Sequence, residues 1–316
     1  MTILLVDAGG TNLRTAWTNR KGEVWAVREQ AADSFEGLVT ALTMRCAEDK
    51  IAPESAIIAV AGPVQGDRVN FTNRPWSFSQ AALKSALDLR QVRVMNDFAA
   101  LALSLPKLTS DDLEVLVAGD PQPGSAMIAI GPGTGLGIST AVPNRQHWIA
   151  LPGEGGHAAA SLDGLVPPSA HNHLWQSGWL SWEEVLSGRG LVRLHHAMHP
   201  DQHCLAPEEI TTAATAGDVN AQHSISCFCA LLGRCASDAA LLVGAWGGVF
   251  IAGGMIAAFG SLFDRVAFID AFQSKGNYTE LVRRIPVNLI TRPFPAFIGM
   301  AHAAAILFAQ DQSQDR

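Results

Sequence analysis

The chain has 316 residues, 48% of them hydrophobic and only 16% charged, with 29 glycines, 16 prolines and a net charge of -7. High hydrophobicity with sparse charge excludes a disordered chain, which could not bury enough apolar surface to offset its ordering entropy. The acidic balance, with no run of lysines or arginines, argues against nucleic acid or an anionic membrane held by bulk positive charge.

The elements follow from the N-terminus. Ile3 to Val6 is an apolar strand that begins at once, with no basic region or apolar run of signal-peptide length ahead of it. Asp7 to Asn12 is a turn, Leu13 to Thr18 alternates as a half-buried strand, and Asn19-Arg20-Lys21-Gly22 turns into a strand from Glu23 to Arg28. A helix is predicted from about Ser34 to Asp49, then a buried strand from Ala56 to Ala61 that Gly62-Pro63 stops. Gln80 to Leu87 reads as helix with Ser79 as its N-cap, and Val92 to Met95 as a strand ending at Asn96-Asp97.

A second series starts near Asp111. Ala126 to Ile130 is a strand, Gly131 to Gly135 a turn, and Leu136 to Ala141 a second strand. Strand, glycine turn and strand therefore occur once in each half, which suggests two lobes of related topology around a cleft, with the boundary near Leu105-Pro106-Lys107. Ala158 to Ser181 has little periodicity and reads as loop with marginal helix. Ile210 to Leu242 reads as one or two buried helices.

The 25 residues from Ala239 to Phe263 carry no charge and could span a bilayer by length. Six glycines, at 244, 247, 248, 253, 254 and 260, punctuate them, so the better reading is a helix end, a buried strand Val249 to Ala252, a Gly253-Gly254 turn and a new helix. The cysteines (Cys46, Cys204, Cys227, Cys229 and Cys235) are odd in number and fit a reducing cytoplasm. Cys227-Phe228-Cys229 lacks the spacer of a zinc site and reads as helix core. His195, His196, His199 and His203, near Cys204, have no supporting carboxylate or glycine framework, and read as a solvated loop rather than a metal site.

Several segments carry chemistry. Asp7-Ala8-Gly9-Gly10-Thr11-Asn12 could form a nest for phosphate oxygens, with Asp7 orienting Mg2+ through water, or be an ordinary hairpin turn. Gly131-Pro132-Gly133-Thr134-Gly135-Leu136-Gly137 has too many glycines for a simple turn and suits a loop laid against polyphosphate. Its spacing matches neither a dinucleotide-binding fingerprint nor a P-loop. Gly253-Gly254 could open a helix against a nucleotide, or serve close strand–helix packing. Asp97 at a strand end is placed to take a proton from a substrate hydroxyl, or to cap the helix that follows. Glu154 and His157, exposed among glycines, form either a grip for a polyhydroxylated ligand or metal, or a solvated turn. Glu183 could add a carboxylate for adjacent sugar hydroxyls, or lie on a helix surface.

In order along essentially the whole chain, DAGGTNLR (7 to 14), AGPVQGDRVNFTNRPW (61 to 76), NDF (96 to 98), GPGTGLG (131 to 137), LPGEGGH (151 to 157), EEVLSGRGL (183 to 191) and GGVFIAGG (247 to 254) resemble the bacterial glucokinase family of the actin-like sugar kinase superfamily. The resemblance implies a two-lobed actin-like α/β fold with ribonuclease-H-like lobes and an inter-lobe cleft. Residues 1–106 with 298–316 would form the small lobe, and residues 107–297 the large one. It implies transfer of the γ-phosphoryl of MgATP to the 6-hydroxyl of glucose, with ATP and Mg2+ as cofactors.

By that resemblance Asp97 is the catalytic base, and Asn96, Asp97, Glu154, His157 and Glu183 bind the sugar. Asp7, Gly9, Gly10 and Thr11 make the first phosphate loop, with Asp7 reaching Mg2+ through water. Gly133, Thr134 and Gly135 make the second, and Gly253 and Gly254 lie near adenosine. The implied protein is a cytoplasmic homodimer whose partners are a small-molecule sugar and ATP, with no nucleic acid and no membrane. Ala158-Ala159-Ala160 with the stretch after it, and Ala296 where a glycine is common, depart from the family pattern. The alternatives are a kinase for another hexose or amino sugar, a sugar-sensing regulator on the same fold, and an actin-type assembly protein, for which the Glu154/His157 grip would have no purpose.

Overall fold

The computed structural model describes all residues except 63–65, 72–75, 146, 176–177, 203–205 and 315–316, and gives the backbone alone from 307 to 314. The Pro63 stop, part of the 61–76 motif, His203 and Cys204 lie outside the described residues. The chain divides into two compact units, Met1–Leu108 with Asn144–Pro152 and Pro293–Arg316, and Thr109–Pro143 with Gly153–Arg292.

In the first unit the strands are β1 (Thr2–Ala8), β2 (Asn12–Asn19), β3 (Val24–Ala31) and, after helix α1 (Leu38–Asp49), β4 (Ser55–Val60). A short pair, β5 (Arg68–Asn70) and β6 (Ser77–Ser79), precedes α2 (Gln80–Ala86), β7 (Gln91–Asn96) and α3 (Asp97–Ser104). The five-stranded sheet runs β3-β2-β1-β4-β7, with β1, β4 and β7 parallel. Alternate residues of β1 point to opposite faces, and helices cover both. Leu4 and Val6 pack with Leu38, Leu42 and Leu83 of α1 and α2, while Ile3 and Leu5 pack with residues of α3 and of the final helix. This is why β1 reads as continuously apolar.

The first helix starts later than Ser34. Ala32–Ser34 forms a single 3-10 turn, and Gly37, fully extended, is the N-cap of α1. Glycine is a poor helix former, and here it ends the irregular entry. The Ser79 cap is as predicted, its hydroxyl accepting the Ala82 N–H at 3.1 Å.

The second unit contains β8 (Leu113–Val117), β9 (Met127–Pro132), all but the last residue of β10 (Leu136–Asn144) and only the last residue of β11 (His147–Gly153). There follow α4 (Pro168–Leu174), α5 (Gly188–Met198), α6 (Pro207–Thr215), α7 (Val219–Val243), β12 (Gly248–Ile251), α8 (Gly254–Phe259), α9 (Arg265–Gln273), α10 (Thr279–Arg283) and β13 (Val287–Ile290). Its strands lie in the order β10-β9-β12-β13-β8, with β9, β12 and β13 parallel. Helix α11 (Ala296–Gln314) closes the chain within the first unit.

The uncharged run from Ala239 divides as its glycines suggest, into the end of α7, β12 and α8. α7 is itself long and apolar enough to cross a membrane, but two thirds of its most apolar window is buried in the core of its unit. Cys227, Cys229 and Cys235 lie on its buried side, and burial pushes the Cys227 and Cys229 thiols up to about 12. Such thiols are inert apolar packing.

The histidine reading needs correction. His195 and His196 belong to the last turn of α5 rather than to a loop, and His195 is buried, its Nδ1 2.9 Å from the Ser224 hydroxyl on α7. α5 is amphipathic, and its apolar stripe carries His195 inward with Leu191 and Leu194. Among the described residues no group of three or more His, Cys, Asp or Glu side chains is placed to hold a metal ion.

Candidate active site

In the first unit, the parallel register sets Ala8 level with Val60, and Val60 level with Asn96. The chain leaves β1 and β7 at the same edge of the sheet, so the Asp7–Asn12 turn and Asn96-Asp97 share the carboxyl edge, the usual ligand-binding side of such sheets. The turn is a tight hairpin in which the Gly9 N–H donates to the Asn12 carbonyl at 3.0 Å. The Gly9 amide is therefore committed within the turn, and Thr11 is exposed at its tip.

Antiparallel pairing of β1 with β2 places Arg14 opposite Asp7. Arg14 Nη1 donates to Asp7 Oδ2 at 3.2 Å, and its Nε to Glu29 Oε1 at 2.8 Å. The guanidinium carbon also lies 5.5 Å from the centre of the Phe294 ring, a cation–π distance. Burial pushes the Asp7 carboxyl above the usual carboxylate range, and Arg14 partly opposes it. Arg14 was legible only as part of the quoted motif; the signal that it faces Asp7 is the hairpin register.

Asn96 and Asp97 divide two roles that the sequence left to Asp97 alone. Asn96 is the N-cap of α3, its Oδ1 accepting the Ala99 N–H at 3.0 Å. Asp97 is the first helical residue, and its Oδ1 accepts the adjacent Phe98 N–H at 2.8 Å. A carboxylate in a first turn lies at the favourable, positive end of the helix dipole.

In the second unit, β9 and β10 pair as far as Pro132 with Leu136, so Gly131 and Gly137 are strand residues facing each other and only Gly133-Thr134-Gly135 turns. This shortens the predicted Gly131–Gly135 turn, because the ladder persists through Pro132. The turn closes with the Gly133 N–H on the Gly135 carbonyl at 2.8 Å, and Thr134 is exposed at its tip. β12 runs parallel beside β9 and brings Gly253 to the same edge. Gly253 has φ +107°, and a Cβ there would meet the Pro132 carbonyl oxygen at 2.4 Å. Only glycine fits that conformation and approach. Gly254 then opens α8.

The carboxylates of the same unit are assembled by two antiparallel segments. Trp182 N–H donates to Ala158 O at 3.0 Å, Ala160 N–H to Leu180 O at 2.9 Å, and Glu183 N–H to Gly156 O at 2.8 Å. These bonds seat Glu183 beside the Glu154–His157 turn, which is held by the His157 N–H on the Glu154 carbonyl at 2.9 Å. Glu154 and His157 are exposed. Glu183 is not a helix-surface residue: its Oε2 accepts the Leu136 N–H at 3.0 Å, at the end of the glycine turn.

The neighbouring Glu184 is structural. Burial pushes its carboxyl up, but the Ser181 N–H at 2.9 Å and Arg193 at 2.7 Å outweigh this, and the net shift is downward. Within the first unit, then, Asp7, the 9–11 turn, Asn96 and Asp97 share one sheet edge. Within the second, the 133–135 turn, Gly253, Glu183 and the 154–157 turn form another group.

Comparison with known proteins places this geometry. A sequence model of the family described as Glucokinase matches residues 4–306. The chain is 38% identical over 317 residues to the Glucokinase of Nitrobacter hamburgensis, covering 96% of this chain and 97% of that protein. It is also 38% identical over 309 residues to the Bifunctional protein glk of Burkholderia orbicola, covering 94% of this chain but 48% of that protein. The chain thus spans about half the length of such bifunctional relatives. Among solved structures, a glucokinase from an Antarctic psychrotroph matches with a TM-score of 0.85 at 32% identity, covering 98% of this chain and 99% of that one. The two α/β units are those of the actin-like sugar kinase fold, and the chain belongs to the glucokinase family.

Proposed function

We propose that the chain phosphorylates glucose at its 6-hydroxyl with ATP as donor. The observation that supports this reading is the sheet edge shared by the Asp7 turn and the Asn96-Asp97 strand end, where the Asn96 side chain caps α3 and Asp97 is the first helical residue. Phosphoryl transfer needs little covalent help. It needs a hydroxyl aligned with the γ-phosphate, water kept out, and developing charge stabilised.

Asp97 orients the 6-hydroxyl and accepts its proton as the oxygen bonds to the γ-phosphorus and the bond from that phosphorus to the β,γ-bridging oxygen breaks, releasing ADP. The Asn96 amide and the side chains of Glu154, His157 and Glu183 hold the remaining hydroxyls. A carboxylate can accept from two adjacent sugar hydroxyls at once. Gly9, Gly10 and Thr11, and on the second unit Gly133, Thr134 and Gly135, border the phosphates, and Gly253-Gly254 the adenosine.

The donor set fits Mg2+ delivered with the nucleotide. The described residues hold no three-residue ligand cluster, and Mg2+ in such enzymes is bound through one or two carboxylates, waters and substrate phosphates. Asp7, partly buried and held by Arg14, is the residue that would reach it through water. When bound, the ion neutralises charge on the transferring phosphoryl group.

The same reading has the enzyme working in the cytoplasm as a homodimer, which equilibrium sedimentation of the purified chain tests. The activity itself is tested by supplying glucose and MgATP and measuring glucose 6-phosphate, alongside a panel of mannose, fructose and glucosamine. Stoichiometric glucose 6-phosphate and ADP are expected. Turnover with another acceptor alone would replace glucose in the reading, and no acceptor-dependent ADP would overturn it.

A further inference from the structure

The segment from Glu183 to Gly190 lies against the glycine turn at two points. The Gly188 N–H donates to the Gly133 carbonyl at 2.9 Å, and Glu183 Oε2 accepts the Leu136 N–H at 3.0 Å. The second contact is so close that a Cβ on Gly135 would stand 2.5 Å from that oxygen. The other carboxylate oxygen, Oε1, lies 3.7 Å from Arg189 Nη2. The guanidinium of Arg189 is thus one carboxylate removed from the turn.

The two side chains differ in their surroundings. Arg189, in the first turn of α5, is 79% exposed, whereas Glu183 is 21% exposed. At 3.7 Å the pair attracts without closing a hydrogen bond, and an exposed ion pair of this kind is weak. Among the described residues Arg189 makes no other ion pair. A long cation is therefore kept beside the turn by a partner that holds it loosely, while that partner is itself anchored to the turn.

We propose that Arg189 is a further phosphate-contacting residue for the nucleotide, held in reserve by Glu183 until phosphate oxygens take its place. The proposal rests on the reading of Gly133-Thr134-Gly135 as a phosphate loop. The turn offers only neutral groups, its amide dipoles and the Thr134 hydroxyl, and Arg189 adds a full charge in a planar fork that matches phosphate oxygens. Glu183 and the phosphates compete for the same guanidinium. Sugar hydroxyls that occupy Glu183 relieve that competition, so the carboxylate that grips the sugar also sets the affinity for nucleotide.

Calorimetric titration of the full chain with ADP, and with adenosine as the phosphate-free control, tests this. Arg189→Ala is expected to weaken ADP binding about tenfold, to leave adenosine binding unchanged, and to flatten the salt dependence of ADP binding. Glu183→Gln keeps an acceptor for the Leu136 N–H and removes the charge, so without sugar it binds ADP roughly threefold more tightly. That gain disappears in the Arg189→Ala/Glu183→Gln double variant. Wild-type ADP affinity in Arg189→Ala, or equal losses of ADP and adenosine, would overturn the assignment. Thr134→Pro separates the two readings: if it too leaves ADP affinity unchanged, the turn is not a phosphate loop, and if it weakens ADP while Arg189→Ala does not, only the Arg189 contact fails.

Discussion

Gly299 on α11 sits against Ala100 on α3 so closely that a Cβ at position 299 would lie 1.8 Å from the Ala100 carbonyl oxygen. The two helices pack along one face of the first unit's sheet, and α3 begins at Asp97. The backbone that carries the proposed base is thus held by a contact with no room for a methyl group.

Gly299→Ala must therefore push α11 off α3. The expected cost is about 1–3 kcal/mol, in the range of overpacked core sites, with a loss of turnover larger than the loss of sugar affinity because Asp97 moves with α3. Thermal unfolding and steady-state kinetics of the variant check both. An unchanged melting temperature would show that the helices can separate freely.

Asp97→Asn removes the base and leaves the helix cap in place, since Asn96 accepts the Ala99 N–H. Turnover is expected to fall a hundredfold or more while glucose binding and melting temperature stay close to wild type. A coupled ADP assay with a parallel glucose titration decides it. Near wild-type turnover would sink the base assignment.

Glu154→Gln changes an exposed side chain on the turn that Glu183 abuts. The KM for sugar should rise at least fivefold and the affinity for ATP should hardly change. If ATP binding falls instead, the turn serves the nucleotide.

The adjacent glycines 253 and 254 offer an internal comparison. Gly253→Ala forces a Cβ toward the Pro132 carbonyl from a left-handed φ of +107°, and should cost about 2–3 kcal/mol with a raised KM for ATP. Gly254 has open space where its Cβ would be, so Gly254→Ala should stay within about 0.5 kcal/mol of wild type. Denaturant melts of the two variants, side by side, give the answer. Equal effects would mean that the backbone at 253 is not constrained as described.

Burial, as the largest cause, lowers the affinity of His195 and His199 for protons, and the neighbouring histidines oppose their charging further, while Asp218, with Gln202 at His195 and the Asn220 backbone at His199, acts the other way. Their rings lie 5.2 Å apart, with His223 5.8 Å from His199. Because the unfolded chain then binds protons that the folded chain refuses, stability is full above the ordinary histidine pKa of about 6.5 and falls as pH drops below it. The slope is at most about 1.4 kcal/mol per pH unit for each group. His195→Asn, which can still reach the Ser224 hydroxyl, should flatten the fall in melting temperature between about pH 7 and pH 5. An identical pH profile would show that these rings charge without cost.

Local chemistry was legible where it depends on neighbours in sequence. The apolar runs at Ile3, Ala56, Met127 and Val249 became strands, and Ser79 became a cap, because backbone hydrogen bonding and side-chain alternation act over a few residues. The glycine pairs marked sheet edges for the same reason. The grouping of Asn144–Pro152 with the first unit was not visible, since nothing local distinguishes a strand end that packs on one core from one that packs on another.

The sequence by itself determined the α/β class, the family and the candidate side chains, because motifs in fixed order along one chain carry that information whatever the packing. Only the tertiary structure decided how the work is shared among them. Asn96 rather than Asp97 caps α3, Glu183 rather than Glu184 meets the glycine turn, Arg14 stands opposite Asp7, and His195 is buried rather than solvated. Each of these depends on a hydrogen bond, register or burial between residues or elements brought together by folding, and such pairings are set by how the sheets and helices pack rather than by any one segment.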